Sequence, residues 1–218
     1  MPGQAVLVIG ASRGIGAELV RQYLADGTSV HATVRDTGAP GELEGLGGDL
    51  TLHRLDVRDQ DETAALAATL TDAGLDIVIH NAGIGRGFSR AEIMEVNAVA
   101  PIRVVEELLA AGVMRDGGVV AIMTSRAGAR QGRTGSLGDY GDSKAALNDE
   151  FRRRADAWAG YRITAMVVHP GWVRTDMGGA AATLSVEESA DGVRRLIATA
   201  TPSHHGRFWT WEGREHPW

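Results

Sequence analysis

Short β-branched runs alternate with longer amphipathic stretches along nearly the whole chain, and this alternation is the pattern of βαβ units on a parallel sheet. The runs are AVLVI (5–9), SVHATV (29–34), LTLHRL (50–55), DIVIH (76–80), GVVAIMT (118–124), RITAMVV (162–168) and GRFWTW (206–211). Helices are expected between them. The last is announced by SVEE, where Ser185 can cap the N-terminus and Glu188 can reach back to it. The connection RDTGAPGELEGLGGD after the second run is glycine-rich and leaves room for only a stub of helix. The expected fold is a doubly wound α/β sheet of about seven strands in the order 3-2-1-4-5-6-7, a Rossmann-type arrangement.

With 218 residues, 44% of them hydrophobic, the chain can build one sizeable core but not two, so residues 1–218 are expected to form a single domain. The net charge of −6 argues against a nucleic-acid partner or an anionic membrane surface. The basic triplet Arg152-Arg153-Arg154 stands among Asp149, Glu150 and Asp156 and reads as a solvated helix face. Without cysteine there is neither a disulfide nor a thiolate catalyst or ligand. The QAVLVIG start has no basic leader, and no apolar run approaches the ~20 residues of a membrane span, so a cytoplasmic protein is expected. His204 and His205 are adjacent and lack a partner at ligand spacing, so no metal site is expected.

VLVIGASRGIGAELV places Gly10, Gly14 and Gly16 between the first strand and the first helix. There the backbone must turn tightly, let a pyrophosphate approach the helix N-terminus, and pack the helix close to the sheet. A turn that is merely glycine-rich is the alternative in a chain of 29 glycines.

Near residue 140, SLGDYGDSKAALND sets Tyr140 four residues before Lys144, the only lysine among 22 basic Lys and Arg residues. On a helix this spacing puts both side chains on one face, with Cβ atoms about 5–6 Å apart. A phenol with a reference pKa of about 10 must exchange a proton near neutral pH, and lowering it by about 3 units means about 4 kcal/mol in favour of the phenolate. A fixed cation about 5 Å away supplies roughly 3 kcal/mol at an effective dielectric of 20. Ser125 follows the GVVAIMT run, where strand ends deliver side chains to a ligand crevice; Thr124 and Ser136 are alternative hydroxyls.

The spacing Gly-x-x-x-Gly-x-Gly, together with LDV (Asp56, Val57), HNAG (Asn81, Ala82, Gly83), VNAVAP (Asn97), MTSRAG (Ser125), YGDSK (Tyr140, Lys144) and HPGWVRTDMGG (Pro170, Gly171, Val173, Thr175), resembles the short-chain dehydrogenase/reductase family over nearly the whole chain. The short length and the ending GRFWTWEGREHPW are most similar to the branch of bacterial C-factor and sniffer-type carbonyl reductases. The resemblance implies that Ser125, Tyr140, Lys144 and Asn97 are catalytic. Ser125 would hold the substrate oxygen, Tyr140 exchange its proton, and Lys144 both acidify Tyr140 (with the positive nicotinamide ring) and bond the nicotinamide ribose. Asn97, inside a helix where asparagine is a poor former, would hold a relay water, or else be a satisfied polar residue of helix packing. The resemblance further implies a nicotinamide cofactor on Gly10, Ser12, Arg13, Gly14, Ile15, Gly16, Arg35, Asp56, Val57, Asn81, Ala82, Gly83, Tyr140, Lys144, Pro170, Val173 and Thr175.

In the loop that faces the adenosine ribose, a carboxylate selects NAD and an arginine accepts the 2′-phosphate of NADP. The sequence there is Val34-Arg35-Asp36, with Arg13 in the glycine loop. NADP(H) is the expected cofactor; surface arginines with Asp36 serving an NAD ribose are the alternative. The segments 81–97 and 175–185 are short, which predicts an open cleft and leaves the carbonyl substrate unspecified, as it leaves oligomerisation. The expected activity is NADP(H)-dependent reduction of a small-molecule carbonyl to an alcohol. A C-factor-like signalling or sensor protein with weak turnover is the other function class. The C-terminal Phe208, Trp209, Trp211 and Trp218 could cover the core or form an oligomer contact.

Overall fold

A computed structural model describes residues 3–131 and 138–218. Seven parallel strands form one sheet in the order β3-β2-β1-β4-β5-β6-β7. They are β1 (Ala5–Ile9), β2 (Ser29–Val34), β3 (Leu50–Arg54), β4 (Leu75–His80), β5 (Met114–Met123), β6 (Thr164–His169) and β7 (Arg207–Thr210). The helices are α1 (Gly14–Ala25), α2 (Gln60–Thr69), α3 (Arg90–Met94), α4 (Ala100–Ala110), α5 (Gly138–Trp158) and α6 (Val186–Ala198). The expected order of strands is thus the observed one. The stub after β2 is a single 3₁₀ turn, Gly41–Leu43.

Strand β1 is buried on both faces, which explains its uninterrupted apolar run. Alternate residues serve two cores. Leu7, Ile9 and Val78 face a layer containing Leu66, Val104, Val105, Leu147 and Phe151. Val6, Val8 and Ile79 face Leu19, Val20, Val193 and Leu196. Local sequence fixes several helix starts: Asp59 caps α2, and Ser89 with Glu92, like Ser185 with Glu188, closes a reciprocal capping box. Two strand starts differ from expectation by more than one residue. Strand β5 starts four residues early, at Met114, with a register shift against β4 between Leu75 and Ile77. Strand β6 starts two residues late because Arg162 takes a left-handed conformation (φ 55°), which no strand accommodates.

The C-terminal aromatics turn inward. Phe208 is fully buried, Trp218 packs against Phe151 and Phe208, and Trp211 lies over Gly192. They cover the core beside β7. His205 accepts from Ala165 N–H and lies 2.8 Å from the Ala155 carbonyl, so it fastens β6 to α5.

Candidate active site

Because strand order reverses between β1 and β4, the carboxyl ends of these strands open a crevice, and the loops that follow them line it. The glycine loop is locked to this floor by close backbone contact. A Cβ on Gly10 would lie 2.6 Å from Ala82 Cα, and one on Gly16 would lie 2.3 Å from the Gly10 carbonyl, so only glycine fits at either position. Asn81 Nδ2 donates to the Gly10 carbonyl at 2.8 Å and Thr33 Oγ1 accepts from Gly10 N–H at 3.0 Å. Arg13 at the N-cap of α1 makes no capping bond, and no acidic residue stands in the first turn, which leaves a helix N-terminus suited to an anion. Ile15 packs on the core beneath the loop, and the Ser12 carbonyl accepts from Glu42 N–H.

One contact here had no signal in the sequence: the Glu42 carboxylate accepts from Gly14 N–H at 3.1 Å and pairs with Arg21. It comes from the 3₁₀ turn after β2, whose docking on the glycine loop is a tertiary event. The exposed Arg13 guanidinium reaches Asp176 at 2.8 Å, towards the 170–185 segment and its neighbour Thr175. Thr175 lies against Gly14 and accepts from Gly178 N–H. Val173 bridges to Leu184, and the Pro170 carbonyl accepts from Ser189 Oγ, which ties this segment to α6. At the other end, Arg35 is exposed and close enough to lower the Asp56 carboxyl. The larger cause of that lowering is Arg58, which grips Asp56 through Nε and Nη2 and adds a second cation at this edge. Val57 is buried, its carbonyl accepting from Arg103.

Ser125, Tyr140 and Lys144 meet between β5 and α5. Ser125 has extended backbone past the end of β5, where its Oγ accepts from Ala127 N–H at 3.1 Å, and it lies close enough to Tyr140 to act on the phenol. Thr124 is excluded as its substitute, because its hydroxyl is buried and donates to Asn148 at 2.6 Å. Ser136 lies outside the described residues. Lys144 is only 4% exposed; its Nζ donates to the Met123 carbonyl at 3.0 Å and sits 6.0 Å from the centre of the Tyr140 ring. Asp142 turns away to Arg90, which also bonds Asp139 and so ties α3 to the start of α5.

Electrostatics here differ from the simple expectation. Burial pushes the Tyr140 phenol above its ordinary value, with Ser125 pulling the other way, and burial pushes Lys144 down to about 8. The lysine alone therefore does not acidify the phenol. Desolvation penalises both charged forms and outweighs their attraction.

Asn97 is fully buried in a π-helical turn, Glu95–Val99, between α3 and α4, a local irregularity frequent at functional sites. Its Oδ1 accepts from Ile84 N–H at 2.9 Å, while Nδ2 donates to the Ile84 carbonyl at 2.8 Å and Ser143 Oγ at 3.1 Å. Both amide hydrogens are spent within the protein, as in the reading of Asn97 as a satisfied polar residue of helix packing. The side chain clamps the 81–84 loop to α5, and Ser143 in turn donates to the Tyr140 carbonyl. A Cβ on Gly83 would lie 3.3 Å from Asn97 Oδ1 and 3.8 Å from Lys144 Nζ, so the two groups face one point beneath that glycine.

Known proteins resemble this chain over most of its length. C-signal of Myxococcus xanthus is 35% identical over 166 residues, which cover 71% of this chain and 99% of that protein. A carbonyl reductase from Pseudomonas aeruginosa PAO1, solved in complex with NADP, superposes with a TM-score of 0.82 at 35% identity over 99% of each chain. The carbonyl reductase Sniffer of D. melanogaster superposes with a TM-score of 0.88 at 26% identity over 100% of each chain. The family model described as short chain dehydrogenase matches residues 4–184, and the chain belongs to that family.

Proposed function

We propose that this single domain is an NADP(H)-dependent carbonyl reductase in which Tyr140 exchanges the substrate proton. The observation that carries the proposal is the grouping of Ser125 and Tyr140 with a buried Lys144, whose Nζ is fixed on the Met123 carbonyl at 3.0 Å and lies 6.0 Å from the centre of the Tyr140 ring. The residues present fit a dinucleotide phosphate. The N-terminus of α1, where Arg13 makes no capping bond and the Glu42 carboxylate takes only Gly14 N–H, suits the pyrophosphate, and Arg35 with Arg58 gives a cationic edge for a 2′-phosphate. Gly10, Ser12, Arg13, Gly14, Ile15 and Gly16 would form the phosphate cradle, Asp56 and Val57 the adenine side, and Asn81, Ala82 and Gly83 the floor. Pro170, Val173 and Thr175 would close over the nicotinamide. The bound NADPH supplies the hydride.

Towards the substrate, Tyr140 donates its proton to the carbonyl oxygen and Ser125 holds that oxygen by hydrogen bonding as negative charge develops. Lys144 would bond the nicotinamide ribose and stabilise the phenolate left on Tyr140. Asn97 acts by holding Ile84 and Ser143, and through them the start of α5. Exposed Phe88 and Met177 stand on the two short segments expected to wall the cleft, and exposed Trp172 just precedes the second, consistent with an apolar carbonyl substrate.

Tyr140→Phe keeps the ring but deletes the proton. NADPH affinity should survive while turnover of the best substrate from a panel of aldehydes, ketones and quinones falls by ~100-fold or more. An unchanged rate would remove Tyr140 from the chemistry. The extent of similarity to C-signal favours a second reading, a cofactor-binding signalling protein. It gains if the unmodified protein binds NADPH but reduces nothing in the panel.

A further inference from the structure

His80, the last residue of β4, has 0% exposure, and neither ring nitrogen has a hydrogen-bond partner of good geometry. It pairs in register with Ile9 of β1 and Ile122 of β5, at the centre of the sheet. Strand alternation puts its side chain on the face of Val78, Ile9 and Ile122, which Val104 and Val105 of α4 and Leu147 and Phe151 of α5 cover. An imidazole always carries a donor, and when neutral also an acceptor, so leaving both unmet in an apolar layer is costly. Lys144 is close enough to disfavour a charged His80, and together with burial it pushes the imidazole down to about 3, so the ring is neutral at any working pH.

The lysine has hydrogens to spare in this direction. Of the three on Nζ, the Met123 carbonyl takes one, and a nicotinamide ribose would take another. Asn97 Oδ1 lies at the same point beneath Gly83. His80 stands beside this group, in register with Ile122, whose neighbour Met123 holds Lys144 through its carbonyl. A water molecule satisfies such a set, because internal waters typically make about three hydrogen bonds to otherwise unsatisfied groups.

We propose that His80 is a positioning residue of the proton path, its imidazole holding an internal water against Lys144 and so orienting the ammonium towards Tyr140. The proposal rests on the catalytic role given above to Lys144, but its test does not require turnover. As the only lysine in the chain, Lys144 gives a single signal after labelling with 15Nζ-lysine, and its titration can be followed by NMR in the cofactor-free protein. A water accepting from Nζ favours the charged form, so His80→Leu should lower the Lys144 midpoint by about 1 unit, roughly tenfold in proton affinity. His80→Asn, which keeps a donor and an acceptor, should restore most of the difference. If the leucine variant folds, by circular dichroism, and its lysine titrates as in the unmodified protein, the proposal is overturned. Should that variant fail to fold, the ring nitrogen shifts of His80 in the unmodified protein decide. One hydrogen-bonded acceptor nitrogen supports the proposal, and two unbonded nitrogens overturn it. A shifted lysine midpoint in a protein that reduces no carbonyl would leave His80 in place and count against the reductase reading alone.

Discussion

Replacing Lys144 by Met should make the protein more stable at neutral pH while abolishing its activity. The buried ammonium is pushed down to about 8 from an ordinary value of about 10.4. Below the folded value both folded and unfolded chains carry the proton, and the difference of roughly 2.4 units means burial costs the fold about 3 kcal/mol. Between about pH 8 and 10.4 the unfolded chain binds the proton and the folded one has released it, so stability rises with pH across that window. Above it the cost is gone. Methionine, uncharged and of similar length, never incurs it, but leaves the Met123 carbonyl without its 3.0 Å donor, at about 1–3 kcal/mol. The net gain at pH 7 is roughly 1 kcal/mol, a rise in Tm of about 2–4 °C for a chain of this size. At pH 10.5 the variant should be the less stable of the two. Urea unfolding of both proteins, without cofactor, at steps from pH 7 to 10.5 reads the difference directly. A variant-minus-native stability that stays constant over this range would refute the reasoning, since only the lysine proton makes it vary. Loss of carbonyl reduction in the same stabilised protein would show a charge kept for function at the expense of stability.

Other perturbations test neighbouring claims. Lys144→Arg keeps the charge, yet carbonyl reduction should fall steeply, because a planar guanidinium cannot fit the buried space between the Met123 carbonyl, Tyr140 and the ribose; near-native kcat would contradict this. Arg35→Asp should remove or reverse a preference for NADPH over NADH in binding titrations by placing a negative charge opposite the 2′-phosphate, and equal affinities of the unmodified protein would sink the assignment. Glu42→Gln removes the carboxylate from Gly14 N–H at the N-terminus of α1 and should tighten NADPH binding several-fold at low salt, with the gain shrinking as salt is raised; unchanged affinity would show that Glu42 does not compete with the phosphates.

The sequence by itself determined what depends on local periodicity. Short β-branched apolar runs gave the strands, and their alternation with helices left few orders for a parallel sheet. The four-residue spacing of Tyr140 and Lys144 put them on one helical face whatever surrounds them, and SVEE wrote its own cap. Tertiary structure decided whatever depends on groups distant along the chain or on exclusion of water. Thr124 and Ser125 are equal candidates as letters; only the approach of Asn148 from α5 consumes one of them. Asn97 became a clamp because Ile84 and Ser143 arrive from different segments to use up its amide. Glu42 met Gly14 across 28 residues, and Arg13 met Asp176 across 163. The sign of the Tyr140 shift depended on burial, a property of the packed fold: the same phenol and ammonium that attract one another in a Coulomb sum are both driven towards neutrality once desolvated. His80 in the sequence is one letter before Asn-Ala-Gly. Its enclosure between β1 and β5, with both nitrogens unpartnered, exists only after the sheet has formed.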